Sequence, residues 1–196
     1  GMRLASTGNV GIGTTSPNRQ LTVSKANSAT NFGAHTGPII ALNQTDTTVN
    51  NQATLLFQSN NGAVAEITSR ITNHSSNYGD LLFGTRSAGG YTAKMTILST
   101  GNVGIGTTAP TSPLTIKSNS TSSSSSGLTI QANGNTNDIF QLGEKSTDGS
   151  RLQMLDAGVV KIALYSDGTD NYINAGNVGI GTTSPIGKLN VSKDST

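Results

Sequence analysis

The segment Gly-Asn-Val-Gly-Ile-Gly-Thr-Thr-Ser-Pro at residues 8–17 returns at 101–110 and 176–185, and nine of its ten positions are identical in all three copies. A sequence that recurs this closely must form the same local unit each time. Within one copy, Val10 and Ile12 share one parity while Asn9, Gly11 and Gly13 share the other, the period of two expected of an extended strand. One face of that strand is apolar and the other nearly bare. Alternating glycines remove Cβ atoms where another backbone passes closely, or where the chain takes positive φ. The Thr-Thr-Ser-Pro that follows ends the strand, because proline lacks a donor and restricts the residue before it. Leu21-Thr22-Val23, Leu114-Thr115-Ile116 and Leu189-Asn190-Val191 stand at one fixed distance behind the first glycine of their copies. Upstream, Met2-Arg3-Leu4 matches Met95-Thr96-Ile97, whereas the third copy has Asp170-Asn171-Tyr172. The copies begin at residues 8, 101 and 176, so they do not tile as a solenoid. They read as struts between two inserts of unequal length.

Composition decides what such struts can do. Leu, Ile, Val and Phe supply 42 of 196 residues, close to the ~20 per cent level at which disorder becomes a serious reading. Ser, Thr and Asn supply 72, and there is no Trp, so the chain cannot easily close a thick core by itself. Disorder requires high net charge as well as low hydrophobicity, and here the formal charge is only +2 with 11% charged residues. The apolar residues gather in short β-branched runs such as 39–42, 55–57, 81–83 and 159–164, which read as strands in need of a partner. Sharing a core among several chains supplies the missing burial.

Other classes are excluded in turn. The sequence pI is about 9.0, but the basic residues from Arg3 to Lys193 stand singly, so nucleic acid is not an expected partner. No run approaches the ~18 apolar residues of a membrane span, and no signal peptide is legible. The absence of Cys excludes a disulfide framework or thiolate metal site. Gly1 before Met2 reads as a residue left by tag removal.

With its following Leu-x-Val strand and preceding strand such as 94–97, the GNVGIGTTSP segment resembles the repeat of bacteriophage tail fibre and tailspike stalks. Related bacterial adhesin-like proteins carry it too, many ending in an intramolecular chaperone of the endosialidase type. The stretch Asp80-Leu81-Leu82-Phe83-Gly84-Thr85 fits the way such repeats are introduced. The resemblance implies an all-β, elongated, intertwined homotrimeric fibre, of the β-helix kind, with small β modules between repeat strands. It also implies a virion tail-fibre location, or alternatively a bacterial cell surface, and a host cell-surface receptor or glycan as partner. No chaperone domain of that type follows Thr196, which implies a fragment or a processed product.

The expected organisation is a first shaft repeat at 1–24, a first β insert at 25–94, a second repeat at 95–117, a Ser-rich link with the second insert at 118–170, and a third repeat at 171–196. Strands are expected at 39–42, 53–58, 64–71, 80–85 and 94–98 in the first insert, and at 128–131, 139–142, 151–155 and 159–165 in the second. Turns are expected at Asn60-Asn61-Gly62, Ala88-Gly89-Gly90, Asp148-Gly149 and Asp167-Gly168. The trimer-core candidates are Val10, Ile12, Val103, Ile105, Val178 and Ile180. The close-packing glycines are Gly11, Gly13, Gly104, Gly106, Gly179 and Gly181.

Catalytic readings are weaker. A dinucleotide fingerprint counted from Gly11 and Gly13 needs glycine where Ser16 stands, and a phosphate-binding loop needs lysine where Thr14 stands. A glycosidase needs a pair of carboxyl groups across one bond. Glu66 reads instead as a solvated strand position or a partner of Arg70, Glu144 as the only other glutamate, and Asp167 and Asp170 as turn residues. His35 and His74 read as solvent-facing loop residues, although one histidine per chain at a threefold axis would suffice for an axial ion. No catalytic residue, cofactor or metal is assigned. Tyr78, Tyr91 and Tyr165 are the receptor candidates, since loop aromatics stack on sugars. The expected function is structural, a trimeric fibre segment mediating attachment to a host cell. A receptor- or glycan-binding module is the alternative, and a polysaccharide-degrading tailspike the third.

Overall fold

The computed structural model describes residues 1–24, 40–118, 126–146, 149–174 and 176–192. It divides into two compact units, Gly1–Asp46 and Thr47–Thr196. Every regular element among the described residues is a strand, so the chain is all-β.

The first unit holds β1 (Met2–Leu4), β2 (Val10–Ile12) and β3 (Leu21–Val23). β1 pairs antiparallel with β2, and β2 pairs parallel with β3. Parallel neighbours usually need a long crossover, commonly a helix; residues 13–20 make this one without any. The path is held by its own polar groups. Asn9 Nδ2 donates to the Pro17 carbonyl at 3.2 Å, Ser16 N–H donates to Thr14 Oγ1, and Ser24 N–H donates to the Ile12 carbonyl. The strand expected at 39–42 is absent over 40–42, where Ile40 and Leu42 lie exposed with no ladder partner; Ile39 lies outside the described residues. An apolar run becomes a strand only where a neighbouring strand takes its backbone bonds.

In the second unit, β4 (Gln52–Ser59), β5 (Gly62–Asn73), β6 (Tyr78–Ser87), β7 (Gly90–Ile97), β8 (Val103–Ile105) and β9 (Leu114–Ile116) form one sheet in sequential order. The sheet is antiparallel up to β8, and β8–β9 is parallel. β7 begins within the first insert and ends as the leading strand of the second repeat, so insert and repeat are one hydrogen-bonded sheet. Gly62 and Gly90, at φ of 114° and 101°, close the two hairpins at the expected turns. A five-stranded meander follows, with β10 (Leu128–Gln131), β11 (Asp138–Ser146), β12 (Gly149–Asp156), β13 (Val159–Tyr165) and β14 (Tyr172–Ile173) in order. The remaining expected strands of both inserts are present, most of them longer at one or both ends. Of the expected turn at Asp148-Gly149, Asp148 lies outside the described residues. β15 (Val178–Ile180) and β16 (Leu189–Val191) pair in parallel.

Residues opposite one another in register share a face of the sheet. In the six-stranded sheet one row reads Leu55, Ile67, Phe83, Met95, Ile105, Ile116, and its neighbour reads Ala53, Ser69, Leu81, Ile97, Val103, Leu114. The opposite face reads Thr54, Thr68, Leu82, Thr96, Gly104, Thr115. The five-stranded sheet repeats the division. Leu128, Leu142, Leu152, Leu164 and then Ile130, Phe140, Met154, Ile162, Ile173 occupy one face, and Thr129, Gln141, Gln153, Ala163, Tyr172 the other.

Burial runs against habit. The polar faces hold the buried residues Thr68, Thr96, Gln141, Arg151 and Gln153, and among the described residues the buried apolar side chains are those of Ala163 and Pro110. Long polar side chains cover their small neighbours there. Arg70 donates to Asp80 Oδ2 at 2.6 Å while Asp80 Oδ1 accepts Ser99 N–H, and Glu66 lies over Gly84. The apolar faces remain uncovered.

Candidate assembly surface

Each repeat builds the same small surface from its strands. In the first copy the apolar face collects Met2, Ile12 and Val23 in one row and Leu4, Val10 and Leu21 in the next, while Arg3, Gly11 and Thr22 take the other face. In the second, Met95, Ile105 and Ile116 stand beside Ile97, Val103 and Leu114. In the third, Val178 and Ile180 stand beside Leu189 and Val191. The valines are half-buried, whereas Ile12, Ile105 and Ile180 are 43%, 39% and 55% exposed.

The two glycines of the strand do different work. A Cβ on Gly11 would lie 2.7 Å from the Thr14 carbonyl oxygen, and one on Gly104 would lie 2.5 Å from that of Thr107; at Gly179 the Thr182 carbonyl takes the same place. The backbone that crosses over these glycines is thus the chain's own crossover. Gly13, Gly106 and Gly181 instead have φ of 75°, 72° and 72°, where any L side chain is strained, and each faces the carbonyl that ends the parallel partner strand. Gly11 and Gly104 are buried, but Gly179 is exposed. The reason is upstream. The third copy lacks the antiparallel strand that β1 and β7 supply, because β14 pairs with β13 instead, and Gly181 has no counterpart of the Gly13–Gly1 and Gly106–Lys94 backbone bonds among the described residues.

The apolar rows of the inserts were not singled out as a surface by the sequence reading. Their signal was present as alternating apolar residues, such as Leu55 and Phe57 or Leu142, but bulges at 57–58, 83–84 and 154–155 break the count across strands. Where β9 adjoins the edge of the second sheet, a cleft of about 630 Å³ is lined by Leu114, Ile116, Leu128 and Leu142 together with glycines and polar residues. Side chains of both apolar faces thus line one cleft.

The receptor candidates do not converge. Tyr78 and Tyr91 stand near opposite ends of the β6–β7 hairpin, and the Arg86 guanidinium lies 5.8 Å from the Tyr91 ring centre. Tyr165 belongs to the other sheet. There Lys145 Nζ sits 4.3 Å from its ring centre and donates to Asp167 Oδ2 at 2.9 Å and to Thr169 Oγ1. These bonds, that from Lys145 first and that from Thr169 second, hold the Asp167 carboxyl well below the usual carboxylate range. Burial, with the neighbouring Tyr165 hydroxyl, pushes the Tyr172 phenol up. Gln153 donates to the Tyr165 hydroxyl. The group is a polar network toward one end of the sheet, joined by bonds within the chain. Glu66 and Glu144 lie in different sheets. His74 Nε2 contacts the Thr48 carbonyl at 3.1 Å, and His35 lies outside the described residues. Among the described residues no group of three or more His, Asp or Glu side chains converges as a metal site, and no helix is long and apolar enough to cross a membrane. No protein-family model matches the chain, and no curated protein matches it.

Proposed function

We propose that this chain is a structural, non-enzymatic segment of a homotrimeric fibre shaft that spaces small β modules and mediates attachment of a particle, a virion by preference over a bacterial surface, to a host cell. One observation carries the reading: three nearly identical strand–crossover–strand units each close their crossover with the same asparagine–proline carbonyl bond and leave an apolar face uncovered. A unit with its crossover closed and its apolar face open needs a matching face, and three copies of one chain provide it at each level along a shaft. The likeness of the GNVGIGTTSP segment to tail-fibre stalks supports the same reading.

The test is mass. Light scattering at micromolar concentration should give three times 20.0 kDa, and a monodisperse monomer overturns the proposal. Incubation with host surface polysaccharides should release no new reducing ends. Release abolished by Glu66→Gln or Glu144→Gln would overturn the non-enzymatic part.

A further inference from the structure

We propose that the sheets of both inserts are themselves walls of the shared core, their apolar faces covered by other copies of this chain, so that neither insert is a free-standing module hung on the shaft. The inference rests on the fibre reading and goes beyond it by naming the surface.

Continuity is the first argument. The row Leu55, Ile67, Phe83, Met95, Ile105, Ile116 runs across six hydrogen-bonded strands without interruption, and its last two residues belong to the repeat. Whatever covers Ile105 and Ile116 meets a continuation of the same face at Met95 and Phe83. In the second insert the leucine row and the row Ile130 to Ile173 present an equivalent face, and Leu128 and Leu142 share a cleft with Leu114 and Ile116.

Area is the second. Eleven apolar residues of the four rows are exposed by 36% or more, and a monomer rarely leaves contiguous apolar faces of this extent open to water.

The identity of the occupant follows from chemistry. None of the four apolar rows of the two sheets carries a charged residue, so the covering face must be apolar as well. The cover must also be present whenever the sheet forms, since one buried alanine and one buried proline do not hold a chain of this size together. A second copy is the partner always available in stoichiometric amount, and it brings the same apolar rows.

This sequence has no cysteine, which makes single-cysteine variants clean probes. Phe83→Cys and Met154→Cys report on the two inserts, Ile105→Cys on the repeat, and Ala88→Cys on an exposed turn position off both faces. Each full-length variant is sized by light scattering and labelled with a bulky maleimide, native and in denaturant. The expected result is a trimer in which positions 83, 154 and 105 react about a hundredfold or more slower than in the unfolded chain, while position 88 reacts at nearly the unfolded rate. A trimer with position 105 protected and positions 83 and 154 freely labelled overturns this inference and leaves the fibre reading standing. A protected dimer supports the covering by copies and overturns the threefold reading. A monomer overturns both, whatever its labelling pattern.

Discussion

Gly104→Ala tests the geometry of the repeat without reference to its assembly. Gly104 has a φ that an L-residue can adopt, since it is not among the positive-φ glycines. In open space, replacing it by alanine would stabilise the fold by about 0.4–1 kcal/mol through the unfolded chain. The structure reverses that sign. The new Cβ would stand 2.5 Å from the Thr107 carbonyl oxygen, 3.1 Å from Thr107 Cγ2 and 3.4 Å from Pro110 Cδ. The first contact is roughly 0.8 Å short of the ~3.3 Å at which carbon meets carbonyl oxygen. Backbone must move, and the crossover that moves is held by the bond from Asn102 Nδ2 to the Pro110 carbonyl. Overpacking costs about 1–3 kcal/mol and a weakened hydrogen bond about 1 more, so the variant should lose about 2–4 kcal/mol per chain. Gly101→Ala is the comparison, because its Cβ meets open space and its φ is 91°, leaving only left-handed strain of about 1–2 kcal/mol. Urea denaturation of the variants and parent at one protein concentration measures both. A Gly104→Ala protein as stable as the parent, or more stable than Gly101→Ala, refutes the crossover packing.

Two further outcomes follow from the polar groups. Asp80→Asn should cost about 3 kcal/mol in urea denaturation, because it strips the charge facing Arg70 from a carboxylate that is only 4% exposed. Asp167 is held ionised below the usual range, so its contribution is fully present above the ordinary aspartate value of ~3.9 and is lost as pH falls through the lower folded value; thermal melts should therefore show the parent and Asp167→Asn converging as pH drops below about 4, and a constant gap would contradict this.

Parity in the sequence revealed the Val-Gly-Ile-Gly strand, but not which glycine does what. Gly11 and Gly13 share a parity, yet Gly11 lies inside β2 under the crossover, and Gly13 lies beyond its end at positive φ. Only the path of residues 13–20 separates the two roles. The constant spacing to Leu21, Leu114 and Leu189 was legible, but the parallel direction was not, since a short crossover without a helix departs from the usual rule. In the inserts the strands were visible and the faces were not. One bulge shifts a register by one residue and so exchanges inside for outside, and the first sheet alone has three. The network joins Lys145 to Tyr165 and Asp167, 20 and 22 residues further along the chain, at no recognisable spacing.

The crossover also bears on how such a chain diversifies. In all three copies the asparagine bonds the proline carbonyl and the parallel pair keeps one register, although the upstream segment is a hairpin strand, an interior strand of a six-stranded sheet, or no partner at all. The unit therefore behaves as a joint with standard ends. Inserts of different length and sequence can therefore stand between two such joints without any residue of the joint having to adapt.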